Sequence, residues 1–244
     1  MCGDAAATTR SLHRRFFCVG LGYNRPQMEG VDDGIALRVI PYSESSSIVH
    51  WLTWRHGRIA TMAKGARRPK SAMFGRIDLF LRANLVFRPS RRSTLHTLIE
   101  LEVDTRLPRF HGSIQSVSLG AYWFRLIERL TETDTPLDGV AALCWECLCA
   151  LDATGPNQRL QLLFELRLLQ NLGFFAASHD PRVSAPARPW YGFLVEENAD
   201  RCLSVDWPDA FTAELQDRMR TALVEVAPET MHIREKLRAA SPRL

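Results

Sequence analysis

Residues 48–63 read IVHWLTWRHGRIATMA, and this stretch predicts a β-hairpin. Its first half is rich in β-branched and aromatic residues, His56-Gly57 marks a tight turn, and residues 58–63 return as the partner strand. Strand-like segments also occur at residues 33–40, 78–88 and 94–103. Five strands within about 75 residues, with no long helix between them, predict a small closed barrel.

Beyond Pro108 the apolar residues recur with a helical period instead. Helices are expected near residues 113–132, 137–152, 158–172, 208–226 and 229–239, and Gly173 is well placed to end the third of them. We therefore expect an α+β protein with a barrel domain at 28–108 and an all-helical domain at 109–244. A Pro-containing stretch at 176–206 is expected to be an irregular insert. Residues 1–27 are expected to be a disordered extension, with Met28 as a plausible start.

Positive charge is concentrated in one part of the chain. Residues 55–92 contain eleven Lys and Arg and one acidic residue, a net charge of +10. Because the whole chain carries +4, the remainder must carry −6. A basic segment on an acidic remainder favours binding of a polyanion at one place, and a nucleic acid is the expected ligand.

The densest part of this segment is residues 64–75, KGARRPKSAMFG, where Gly65 and Pro69 oppose a regular helix. Aromatic residues in or beside the segment could stack on unpaired bases, although strand alternation should turn most of them into the core. They are Trp51, Trp54, Phe74, Phe80 and Phe87.

The sequence offers little support for catalysis or metal binding. Phosphate-loop, nucleophile-elbow and His-Glu-x-x-His motifs are absent, and the seven histidines are scattered. Cys144, Cys147 and Cys149 could indicate a thiol or metal site, but no second ligand pair exists, and small Cys side chains pack well in an apolar helix. We expect no catalytic site, no metal and no cofactor.

The order of several short motifs resembles the RecO family of bacterial recombinational-repair proteins. The resemblance is carried by residues 28–30 (MEG), 34–38 (GIALR), 41–45 (PYSES), 56–58 (HGR), 63–71 (AKGARRPKS), 164–169 (FELRLL) and 172–174 (LGF). It implies an N-terminal five-stranded OB-fold barrel followed by an all-helical domain. Many members carry four cysteines after the Leu-Gly-Phe motif that bind zinc. This chain has only Cys202 at 174–206, so pairing and hydrogen bonds within that segment would have to hold it.

The resemblance also implies a non-enzymatic function. Such proteins bind single- and double-stranded DNA, anneal complementary strands and, with the partner RecR, help to load the RecA recombinase onto coated single strands. They also bind the acidic, apolar C-terminal tail of the single-strand DNA-binding protein, for which Arg125 and Arg129 beside Phe124 and Leu126 are candidates. The cations expected to bind DNA are Arg55, Arg58, Lys64, Arg67, Arg68, Lys70, Arg76, Arg88, Arg91 and Arg92.

Two alternatives remain open at this point. One is an OB-fold nucleic-acid-binding protein with an RNA or regulatory role, and the other is a thiol or metal protein. No apolar run approaches the roughly 20 residues that span a bilayer. We expect a cytoplasmic, nucleoid-associated protein without a membrane partner.

Overall fold

A computed structural model describes residues 29–240, so the predicted extension at 1–27 lies outside the described residues. Five strands open the fold: β1 (Gly30–Pro41), β2 (Ser47–Thr53), β3 (Gly57–Ala63), β4 (Arg82–Arg88) and β5 (Leu95–Thr105). They close into a barrel in the order β1-β2-β3-β5-β4. The β3–β5 pair is parallel and the other pairs are antiparallel. The predicted five-stranded OB-fold barrel is confirmed.

The hairpin at the centre of the barrel forms where the sequence predicts it. Inside the barrel, the indole N–H of Trp51 on β2 donates to Oγ1 of Thr61 on β3 over 2.9 Å. Gly57 opens β3 with a φ of +67°. A Cβ there would lie 1.8 Å from the carbonyl oxygen of Thr135, so only glycine fits both the turn and the segment packed against it.

Seven helices follow the barrel among the described residues: α1 (Ile114–Leu130), α2 (Val140–Thr154), α3 (Gln158–Asn171), α4 (Arg188–Glu196), α5 (Ala199–Ser204), α6 (Asp209–Val226) and α7 (Met231–Ala240). Side chains cap two of the longer ones. Ser113 Oγ accepts from the backbone N–H of Ser116, and Asn157 Oδ1 accepts from that of Leu160. Gly173, with a φ of +76°, follows α3 as predicted.

The barrel and the helices share one apolar core. Ile35, Leu37 and Leu52 of the barrel belong to the same buried cluster as the helical residues Trp123 and Leu126. A second cluster fills the barrel itself. The predicted domain boundary at residue 108 thus falls between β5 and α1 in the sequence, but packing continues across it.

The segment predicted as an irregular insert, residues 176–206, contains the two short helices α4 and α5. The prolines that suggested irregularity do not prevent this, because Pro189 lies in the first turn of α4, where its missing N–H is not needed. α5 begins after Asn198, whose side chain accepts from the N–H of Arg201.

A buried arginine on α3 holds this segment together. Arg167 donates to the carbonyl oxygens of Leu194 and Glu197, and its Nη2 lies 3.5 Å from Sγ of Cys202. The same guanidinium forms an ion pair with Glu146 of α2 over 3.2 Å. These interactions crosslink α2, α3, α4 and α5.

The last helix is attached through a buried ion pair. Glu165 of α3 and Arg234 of α7 are both buried, and their side chains form hydrogen bonds of 2.9 and 3.1 Å. Tyr122 and Gln161 also donate to Glu165 Oε1, each over 2.9 Å. Burial and the neighbouring Glu165 carboxylate raise the pKa of the Tyr122 hydroxyl, so Tyr122 stays a hydrogen-bond donor.

Candidate nucleic-acid interface

Residues 64–76, which we call the basic loop, connect β3 to β4 as a chain of tight turns rather than a helix. Backbone N–H groups bond to carbonyls three residues earlier, from Arg68 to Gly65, from Ser71 to Arg68 and from Phe74 to Ser71, over 2.9–3.1 Å. Gly65 starts the series with a φ of +69°. These regular bonds give the loop a defined shape, as Gly65 and Pro69 in the sequence suggested.

The basic loop is held against the β1–β2 turn, residues 42–46. Arg67 donates through Nη1 to the carbonyl oxygen of Ser43 over 2.8 Å and through its backbone N–H to that of Ser45 over 3.0 Å. The backbone N–H of Gly65 donates to Oγ of Ser46 over 3.2 Å. The serine-rich turn therefore supports the loop, and it does so without a carboxylate.

Five of the ten predicted DNA-binding cations lie on the basic loop, and all five are exposed: Lys64, Arg67, Arg68, Lys70 and Arg76. The loop contains no acidic residue. Among residues 29–240, none of the five side chains forms an ion pair. An array of like charges that is exposed and not neutralised is a suitable surface for phosphate groups.

The other five predicted cations lie elsewhere, and three of them already have partners. Arg55 pairs with Asp32, and Arg88 pairs with Glu29, each over 3.5 Å. Arg58 is half-buried and donates to the side chain and the carbonyl oxygen of Thr131, so it ties the barrel to α1. Arg91 and Arg92, on the loop between β4 and β5, are exposed and form no ion pair with any described residue.

The ion pair of Arg55 is part of a hydrogen-bonded network around Asp32. Its buried carboxylate accepts from the backbone N–H groups of Arg55 and His56, over 3.0 and 3.1 Å, and lies 2.7 Å from Nδ1 of His56. Burial acts to raise the pKa of Asp32, but the hydrogen bonds from His56 and the backbone outweigh it and leave the pKa lowered. Arg55 therefore helps to hold the β2–β3 turn.

Arg55 is separated from the basic loop by the length of β3. The β2–β3 turn and the basic loop lie at opposite ends of β3, about 20 Å apart for a strand of this length. One cross-strand row on the outer surface crosses β3 next to the basic loop: Arg88, Thr97, Met62, Ile48 and Ile40 are paired in succession. All five are exposed or half-buried, so a chain could lie along this row between the basic loop and Arg88.

The outer face of β5 has the opposite charge. Glu100, Glu102 and Asp104 are exposed there. These carboxylates disfavour a polyanion on the part of β5 beyond Thr97, although Asp104 is paired with Arg82 over 3.5 Å.

The five aromatic candidates differ in how far their side chains are exposed to solvent. Trp51, Phe80 and Phe87 are buried in the core. Trp54 is half-buried under the guanidinium of Arg82, which lies 4.8 Å from the ring centroid. Phe74, on the basic loop, is 52% exposed and is the one of the five whose ring is open to solvent.

Tyr42 is a further exposed aromatic residue that the sequence analysis did not select. It is 64% exposed and belongs to the turn that supports Arg67. Its position directly after Pro41, in the predicted turn at the end of β1, was the available signal, because connecting turns run over the protein surface.

Comparison with known proteins agrees with this architecture. The family described as "Recombination protein O N terminal" matches residues 28–105, which is the barrel. Proteins named "DNA repair protein RecO" are similar over longer stretches. The one from Salinibacter ruber is 33% identical over 154 residues, covering 62% of this chain and 58% of its own. Those from Nitrosospira multiformis and Azoarcus sp. are 28% and 31% identical, covering 79% and 66% of this chain and 78% and 65% of their own.

The chain is similar to RecO proteins over the barrel and part of the helical region. Its match spans less than two thirds of the length of the Salinibacter and Azoarcus relatives.

Arg125 and Arg129, the residues predicted to bind the partner tail, do not lie beside an available apolar surface. Both are exposed on α1, but Phe124 and Leu126, on either side of Arg125, are buried in the core. Arg129 is already paired with Glu229. A cation beside apolar side chains does occur nearby, in a groove of about 390 Å³ between α1 and α7, where Lys236 adjoins Ile114, Ile233 and Leu237.

The cysteines of α2 lie in packed surroundings. Cys144 and Cys147 are buried in α2, and burial raises the pKa of both thiols, so neither carries thiolate at neutral pH. Within residues 29–240, no three His, Cys, Asp or Glu side chains converge as metal ligands. Nor is any described helix both long and apolar enough to cross a bilayer.

Proposed function

We propose that this protein is a member of the RecO family and a non-enzymatic mediator of DNA repair and recombination. In this proposal it binds single- and double-stranded DNA, anneals complementary strands and assists recombinase loading onto coated single strands. One observation carries it: five exposed cations without ion pairs on one ordered loop. The relatives' name, "DNA repair protein RecO", supports the biological setting.

The basic loop would bind DNA through its phosphates. Lys and Arg displace the counterions condensed on the backbone, which gives affinity without regard to sequence. The guanidinium groups can also bind a phosphate through two parallel hydrogen bonds, a geometry that lysine does not offer. Two strands gathered on such a surface lose part of their mutual repulsion, so annealing becomes faster without any bond chemistry.

Differences in exposure and ion pairing support a narrower proposal than the ten predicted cations. We place the primary contact on the basic loop and an extension at Arg91 and Arg92. Arg55, Arg58 and Arg88 have structural partners and should contribute less. If all five cations of the loop contact phosphates, log affinity for single strands should fall with log salt concentration at a slope of about −3.5, since each contact contributes about −0.7.

A matched pair of double variants tests this assignment. Arg67→Ala/Arg68→Ala and Arg55→Ala/Arg88→Ala each remove two positive charges, the first from the basic loop and the second from ion-paired positions. The loop variant should reduce the salt slope by about 1.4, equally for all sequences, and the control should change it little. Equal slopes for the two variants would refute the assignment of the loop.

Strand annealing and the preference for DNA over RNA each need a separate assay. Strand annealing should be faster with the protein than without it, and slower with the loop variant than with the control. A parallel titration with RNA of the same sequence addresses the alternative RNA or regulatory role. Tighter binding to RNA together with absent annealing would favour that alternative.

We further propose RecR, the RecA recombinase and the C-terminal tail of the single-strand DNA-binding protein as functional partners. For the acidic, apolar tail, the groove at Lys236 combines a cation with apolar walls, which Arg125 and Arg129 do not. In a titration with the tail peptide, Lys236→Glu should weaken binding more than Arg129→Glu. If Arg129→Glu weakened binding more than Lys236→Glu, the tail-binding site would lie at Arg129 on α1 instead.

A further inference from the structure

We propose that Phe74 and the cavity beside it form a subsite for one unpaired nucleobase. The inference rests on the proposed function, because the base is brought to the subsite by the phosphates that the basic loop binds. It adds a contact that depends on the base being free of a complementary strand.

The cavity is small and has a mixed lining. It measures about 270 Å³ and lies between the basic loop and the barrel. Val39, Met73 and Ile77 supply apolar surface, while Arg67 supplies charge at the edge. This combination suits a flat heteroaromatic ring, which presents apolar faces and polar edges to its surroundings.

Phe74 is held in an exposed position by the local backbone. Its N–H donates to the carbonyl oxygen of Ser71 over 3.1 Å, and Gly75 follows with a φ of +67°. Two neighbouring apolar residues, Met73 and Ile77, pack instead against the barrel core. In the free protein, a phenyl ring that is 52% exposed among cations contributes little stability through burial. The same ring is well placed to stack on a base.

The surrounding charge selects the kind of ligand. Arg67 and Arg68 precede the ring in the loop and Arg76 follows it, all three exposed and without ion pairs among the described residues. A ligand that contacts both the ring and these side chains must combine an aromatic group with closely spaced negative charges. Single-stranded DNA has this composition, and its bases are free to leave the stack, whereas duplex bases are paired.

The test compares three probes of equal length on the full chain. These are an oligothymidylate, the same phosphodiester backbone with abasic residues, and a duplex. Phe74→Ala should weaken binding of oligothymidylate by roughly 5- to 150-fold and leave the other two probes unchanged. Phe174→Ala is the matched control, since Phe174 is 45% exposed but lies in the helical part, and it should change none of the three.

Phe74→Trp supplies a readout that does not depend on affinity. This variant should keep the binding of oligothymidylate and show a change in tryptophan emission that the abasic probe does not produce. Equal losses on oligothymidylate and abasic probes with Phe74→Ala, or no loss on either, would overturn the subsite and leave the proposed function standing. Wild-type protein that binds none of the three probes would overturn both.

Discussion

Replacing Arg234 by Met should destabilise the protein by about 3–5 kcal/mol, because it leaves the Glu165 carboxylate buried without its cation. Both side chains are essentially inaccessible to solvent, and three hydrogen bonds of 2.9–3.1 Å join them. The donors that remain, Tyr122 and Gln161, bind only one of the two carboxylate oxygens. For a chain of this size the midpoint of thermal unfolding should fall by roughly 6–20 °C.

Urea denaturation followed by circular dichroism, together with a thermal scan, measures this loss. Arg238→Met is a control on the same helix, because Arg238 is exposed and its ion pair with Glu235 spans 3.7 Å. That control should cost less than about 1 kcal/mol. The double variant Glu165→Gln/Arg234→Met should recover part of the stability lost in Arg234→Met. Additive effects in this double-mutant cycle, or a loss below about 1 kcal/mol from Arg234→Met, would refute the reasoning.

Three further predictions concern the barrel. Gly57→Ala should lower the free energy of unfolding by about 2–5 kcal/mol, because of the positive φ and a clash with backbone at 1.8 Å. Gly75→Ala, with a φ of +67° but open space around it, should lower it by only about 1–2 kcal/mol. Equal losses of the two variants in urea denaturation would contradict this prediction. Asp32→Asn should lower the free energy of unfolding at neutral pH. The difference from wild type should become smaller as pH falls below 3.8, the ordinary pKa of the group, because the lowered pKa stabilises the fold only while the carboxylate is ionised. A difference that stays constant between about pH 6 and 3 would contradict this prediction. Tyr42→Ala should weaken binding of single-stranded DNA, because the exposed turn is expected to contact the DNA that the basic loop binds. Fluorescence anisotropy measures the binding, and urea denaturation should show no change in unfolding free energy. Unchanged affinity would place the turn outside the interface.

Local patterns were sufficient to predict the order of elements. Alternating apolar residues around the Trp51 hairpin specify strands, because successive side chains of a strand point to opposite faces. The change to a helical period after Pro108 specifies helices, and Gly173 ends one of them through its left-handed backbone. The same local reasoning failed at residues 176–206, because it took prolines as a sign of irregular structure without considering their position in a helical turn.

The site was predicted only in outline. Sequence alone shows that residues 55–92 concentrate positive charge, since composition requires no knowledge of contacts. It does not show which cations are available. Arg58 and the basic-loop cation Arg68 look alike in the sequence, yet Arg58 binds Thr131, a residue 73 positions away, while Arg68 has no such partner among the described residues.

A small barrel with a basic loop, followed by helices, can be predicted from local sequence, because strand alternation, helical period and turn residues are properties of neighbours in the chain. The exposure of Phe74, the burial of Phe80 and Phe87, and the buried contacts of Arg167 and Arg234 between helices emerge only in the folded molecule. These outcomes depend on which distant segments meet. Exposure and pairing are properties of the packed molecule, and the same side chain acts as a ligand contact or as a structural support according to what packs against it.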